Sequence, residues 1–200
     1  MHKTLAMLLV LAALLTGCSG LRVVDSDVQA IATLPAGAGT LAGARYRFER
    51  LPSQAAQAQF PRLEALAEAA LARAGLVRDD AGARYSVQLG ARVESFYADP
   101  WGRPLADPWW PGGYGHLMAG SYGWGMGFGY RYPPSTSYRR EVSLLLRELR
   151  TGQVVYETHA THDGPWSDTD NVLAAMFDAA LKDFPQPPPG VRRVNVEIPR

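Results

Sequence analysis

Apolar residues recur along the chain with two different periods, and the change from one to the other marks the elements. In Arg45-Tyr46-Arg47-Phe48-Glu49, aromatic and charged residues alternate, the period of a strand with one buried face. From Phe60 the period lengthens. Leu63, Leu66, Ala67, Ala70, Leu71 and Ala74 fall on one helical stripe, with Glu64, Glu68 and Arg73 away from it. Pro61 suits the first helical position, and Gly75 can take the left-handed conformation that ends a helix, so that Leu76 packs back on it. Alternation returns with Tyr85, Val87, Leu89, Ala91 and Val93 on one face of a strand. Val142, Leu144 and Leu146, then Val154, Tyr156 and Thr158, read as two arms of a hairpin turning at Thr151-Gly152. A second helix follows the capping candidates Ser167, Asp168, Thr169 and Asp170, with Val172, Leu173, Met176, Phe177, Ala180, Leu181 and Phe184 as its apolar stripe. The segment Pro185-Gln186-Pro187-Pro188-Pro189-Gly190 stops it, and Val191, Val194, Val196 and Ile198 mark a last strand.

Strand, helix, strand, long insert, strand, strand, helix, strand is the order of an α+β fold. The expectation is a two-layer sandwich: a mainly antiparallel sheet of four to five strands with two helices on one face. Residues 44–200 form the single domain, and residues 96–138 are an insert rich in Gly and aromatic residues. Glycine's high ordering entropy favours a flexible insert there. Residues 18–43 read as a lipidated tether, within which Leu21 to Ala30 is either part of the tether or a weak first strand.

The N-terminus narrows the setting. Lys3 precedes an unbroken apolar run from Leu5 to Leu15. Eleven apolar residues cover about 16 Å as a helix, against roughly 30 Å of bilayer core, so residues 1–17 suit a signal peptide. The run closes on Leu15-Thr16-Gly17-Cys18, which resembles the bacterial lipobox. That resemblance implies lipidation of Cys18, cleavage before it and acylation of the new amine. Two or three acyl chains anchor a protein stably. Ser19 stands where an Asp often marks inner-membrane retention, which favours a periplasm-facing domain on the outer membrane. Net charge is +1, with no basic run, so nucleic acid is a poor partner and the anchor itself is the contact with the membrane.

These features together resemble the lipoproteins of the domain-of-unknown-function family 4136. The likeness rests on the box "LTGC", on "ARYRFERLP" before a helix ending "ARAGLV", on the Gly/Trp/Tyr tract, and on "EVSLLLRELRTGQVVYETHAT" before a helix ending "LKDFP". The resemblance implies a membrane-anchored domain facing the periplasm and implies no activity.

Candidate chemistry is sparse. His159, His162, Asp163, Asp168 and Asp170 form the best polar cluster, the basis of an alternative reading as an envelope hydrolase or metal-binding protein. Spacing works against it. On a continuing strand His159 and His162 face opposite sides, and Asp168 and Asp170 serve as helix caps. Glu94 and Asp99 are a weaker acid–base pair, and His116 stands isolated in the tract. In "GWGMGFG" glycines alternate with larger residues, but prolines follow where a dinucleotide fingerprint needs a helix. No catalytic residue, metal site or cofactor is assigned. Trp101, Trp109, Trp110, Tyr114, Tyr122, Trp124, Phe128 and Tyr130 are instead the candidate interaction residues. Such aromatics suit an envelope protein, a lipid headgroup or a cell-wall glycan. The expected function is therefore non-enzymatic, structural or accessory.

Overall fold

The computed structural model describes residues 20–33, 41–99, 101–105 and 135–200, with 113–120 and 123–130 described as backbone. The strands are β1 (Leu21–Ala32), β2 (Arg45–Phe48), β3 (Val77–Arg78), β4 (Tyr85–Ala98), β5 (Gly113–Gly120), β6 (Gly123–Tyr130), β7 (Ser135–Glu148), β8 (Val154–Gly164) and β9 (Val191–Pro199). The helices are α1 (Pro52–Ala55), α2 (Phe60–Arg73) and α3 (Thr169–Ala180). The fold is α+β, as the alternating periods imply. Its sheet is larger than the four to five strands expected: seven strands in the order β3-β2-β4-β7-β8-β1-β9. It is also mixed, because β2 runs parallel to both β3 and β4 while the other pairs are antiparallel.

The helices cover one face. Val24, Val28, Val87, Val142, Leu144, Leu146 and Ala160 point into the core, where they meet Ala67, Ala70 and Leu71 of α2 and Val172, Met176 and Phe177 of α3. Each fully buried side chain of this size contributes about 1.5–3 kcal/mol. Gly75 adopts φ +90° and the Leu76 N–H returns to the Leu71 carbonyl at 3.0 Å, the helix ending that the sequence signals. Gly152 likewise takes a positive φ, +73°, at the hairpin turn. Tyr156 meets Phe184 edge to face with centroids 4.8 Å apart. One helical residue departs from its expected place. Glu64 is buried, and Arg50 donates to its two oxygens at 2.5 and 2.6 Å, so its charge is matched rather than solvated.

Two segments expected to be irregular or weakly structured carry strands. Of the two readings of residues 21–32, tether or weak first strand, the strand forms. It has twelve residues and lies between β8 and β9, with Val24 and Val28 fully buried. Its inward positions include Arg22 and Ser26, and these polar residues hide the alternation. The strands that flank the 96–138 insert run into it from both sides. β4 and β7 stay paired as far as Ala98↔Ser135, which takes both ends of 96–138 into the sheet. Between them β5 and β6 pair antiparallel. Their register sets glycines opposite larger residues, as in Tyr114↔Gly129, Gly115↔Phe128, Met118↔Gly125 and Gly113↔Tyr130.

The pairing also fixes which segments share an end of the sheet. Leu21 pairs with Pro199, Tyr138 with Gly164 and Ala98 with Ser135. The start of β1, the ends of β8 and β9, and the outer ends of β4 and β7 therefore lie at one end. The β5–β6 hairpin departs from that same end.

Candidate functional site

Four polar residues occupy core-facing strand positions at this end of the sheet: Arg22 and Ser26 on β1, Arg140 on β7 and His162 on β8. Arg140 pairs with His162, and the β1–β8 register (Asp27↔Thr161) continues to Ser26 beside His162. The chain leaving β8 folds back over them before α3 begins. Arg140 Nη2 donates to the Trp166 carbonyl at 2.5 Å and to Thr169 Oγ1 at 3.1 Å. Arg22 Nη2 pairs with the Asp168 carboxylate, and the Arg22 guanidinium lies 5.2 Å from the Trp166 ring centroid. The Arg140 guanidinium lies 4.8 Å from the Tyr138 ring.

The electrostatics of the cluster are unusual. Arg140 is fully buried, and among the described residues no carboxylate pairs with it. Burial, reinforced by the nearby Arg22 charge, holds its pKa below the usual arginine value. His162 Nδ1 donates to the Asp25 carbonyl at 2.6 Å, with the Asp25 carboxylate 3.5 Å away. In the neutral ring this leaves Nε2 as the acceptor. Nε2 faces Gly164, where a Cβ would stand 2.7 Å away. Arg22 Nε, Ser26 Oγ, Arg140 Nε and Nη1, His162 Nε2 and Asp168 Oδ1 are all buried without a protein partner.

A groove of about 480 Å³ opens beside this cluster. Gln54, Gln57 and Gln59 form its rim, and Phe60, Leu63, Leu66, Ala91, Val93 and Leu173 its apolar walls. It reaches Thr169, the acceptor of Arg140, and Val93, the cross-strand neighbour of Arg140.

The residues of the metal reading do not converge. β8 continues through both histidines, so His162 is buried on the helix side while His159, on the opposite face, lies 3.7 Å from Glu141 Oε1. Asp163 pairs with Arg139 at 2.7 Å, and Asp170 pairs with Arg62. Asp168 sits at the cap position of α3 without a capping bond, because Arg22 and Asn171 engage its carboxylate instead. Among the described residues no group of three metal-ligating side chains forms. Glu94 pairs with Arg92, while Asp99 accepts from the Trp101 and Arg103 N–H groups at 2.9 Å each and so shapes the turn after β4.

Of the aromatic candidates, Trp101 is 73% exposed, with Arg103 5.4 Å from its ring. Tyr114 lies on β5, and Trp124, Phe128 and Tyr130 on β6. Cys18, Trp109, Trp110 and Tyr122 lie outside the described residues. Sequence reasoning singled out His162 but passed over Arg22, Ser26 and Arg140. The available signal was phase: Arg140 alternates with Val142, Leu144 and Leu146, and Arg22 and Ser26 with Val24 and Val28.

Fold and cluster together define a class: a two-layer α+β domain whose half-covered sheet carries buried basic residues at one end. Within it, the chain belongs to the family described as domain of unknown function (DUF4136), whose model matches residues 36–186. β1 and β9 lie outside that match and pair with each other. A PDZ domain protein from Parabacteroides distasonis ATCC 8503 is similar in structure, with a TM-score of 0.50 and 11% identity over 93% of this chain. The match spans 41% of that longer chain and shows the fold alone. Two crystal structures of a PelC dodecamer from Paraburkholderia phytofirmans have TM-scores of 0.40 and 0.39 at 15% and 16% identity, over 78% of this chain and 94% of theirs. No curated protein matches the chain.

Proposed function

We propose that the protein is a non-enzymatic lipoprotein of the outer membrane, whose domain Cys18 holds at the bilayer and whose Gly/aromatic insert meets the lipid headgroups. The observation that carries this reading is the box Leu15-Thr16-Gly17-Cys18, which closes an apolar run just before the fold begins. β1 starts at Leu21, three residues after Cys18, so the leash is at most about 10 Å when extended. The acylated end of the chain therefore brings the start of β1 to the membrane. The chain leaves the sheet towards Trp101, β5 and β6 and re-enters it at that same end, and Trp and Tyr are favoured at headgroup depth. That shared end favours a lipid surface over a distant glycan or protein partner. The metal-dependent hydrolase is the weaker reading, because His159 and His162 lie on opposite faces and the three aspartates are held in ion pairs. Radiolabelled palmitate distinguishes the anchor from simple secretion: the wild-type chain takes up label and Cys18→Ala does not. Labelling that persists in Cys18→Ala refutes the anchor.

A further inference from the structure

The buried cluster under the Trp166 segment has donors with nothing to bind. A guanidinium cannot shed its charge under ordinary conditions, and removing one from water without an anion is expensive. Arg140 is in that position, with 0% exposure and two unpartnered nitrogens, Nε and Nη1. The Tyr138 ring and two neutral oxygens compensate it only in part. Arg22 brings a second positive charge, of which Asp168 matches one. Arg22 Nε and the Ser26 hydroxyl are also buried and free. The N-terminus of the twelve-residue α3 adds its dipole, since Thr169 is both the first residue of the helix and a partner of Arg140.

We propose that Arg140, Arg22 and Ser26, beneath the Trp166–Thr169 segment, bind a small oxyanion, a carboxylate or a phosphate. The anion supplies the missing negative charge and accepts from Arg140 and Arg22, while Ser26 donates its hydroxyl proton. The groove lies beside the site: Thr169 and Val93 line it where it nears Arg140, together with the Arg62–Asp170 ion pair, while Arg140, Arg22 and Ser26 lie behind that wall. This site does not depend on the membrane anchor.

The test is a calorimetric melt of the full mature chain with inorganic phosphate, and in parallel with acetate, at constant ionic strength. With either anion or both, the wild-type Tm rises with concentration as one-site binding requires, by about 5–11 °C at a hundred times the dissociation constant. A rise with phosphate alone assigns a phosphoryl group, and one with acetate alone a carboxylate. Arg140→Met substitutes an apolar side chain of similar length for an unpaired charge, so it folds and loses the response. Ser26→Ala removes a hydroxyl without a protein partner. It leaves the unliganded Tm within about one degree and weakens the anion at least threefold. The proposal is overturned if neither anion gives such a rise in the wild type, or if Arg140→Met responds as the wild type does. Should Arg140→Met fail to fold, an unchanged affinity in Ser26→Ala overturns it equally.

Discussion

Gly164 lies where a side chain of any size collides with a buried histidine. The Cβ of an alanine would stand 2.7 Å from His162 Nε2, and His162 is held from its other nitrogen by the Asp25 carbonyl. Gly164→Ala therefore displaces the ring and lowers stability by about 1–3 kcal/mol in urea unfolding. Tyr156 makes a second single-residue prediction. Its hydroxyl donates to the Ala180 carbonyl at 3.2 Å in the core, so Tyr156→Phe costs about 1 kcal/mol at pH 7. Burial pushes its pKa up to about 12, whereas the unfolded chain ionises near 10. Below about pH 10 the folded and unfolded forms hold the same proton. Between about 10 and 12 the unfolded form releases it first, so stability falls as pH rises through this window. Burial moves Tyr46 in the same direction. Urea melts from pH 8 to 12 test this, and Tyr156→Phe makes the alkaline loss shallower. At this scale the sequence revealed which strand positions face inward but not what fills them. Alternation placed Arg140 in phase with Val142, and a charge at a core position reads as a break in the pattern until its neighbours are seen.

The elements show the same division. Both long helices and the β7–β8 hairpin were legible because their apolar periods are unbroken and their turns carry Gly75 and Gly152. β1 was not, because Arg22, Ser26 and two aspartates interrupt it and only tertiary pairing with β8 and β9 reveals a strand. The β5–β6 pair was obscured differently: alternate glycines depress local propensity, and only the pairing of the two segments reveals strands. The two-residue β3, paired parallel to β2, also raises the strand count, because Val77–Arg78 is too short to show a period. If β1 belongs to the core, Val28→Ala costs about 2 kcal/mol, since Val28 is fully buried. A chain lacking residues 21–32 loses the cooperative unfolding transition of the intact protein, seen by circular dichroism against urea. A truncated chain that unfolds like the intact one would return β1 to the role of tether.

At the scale of the whole molecule, direction matters more than any single contact. Antiparallel pairing carries the start of β1 to the same end of the sheet as the outer ends of β4 and β7, where the chain leaves for the Gly/aromatic strands and returns from them. On the proposed reading, a lipid on Cys18 sets the domain end-on to the bilayer. The most direct measurement uses the acylated protein in vesicles carrying a headgroup-level fluorescence quencher. In one variant Trp124 is the single tryptophan; in another all five tryptophans are replaced by Phe and the exposed Gln153, at the β7–β8 turn on the opposite end of the sheet, is replaced by Trp. Membrane placement of the insert predicts strong quenching of Trp124 and weak quenching of the Gln153→Trp variant. Equal quenching of the two, or a Trp124 unaffected by the quencher, contradicts it.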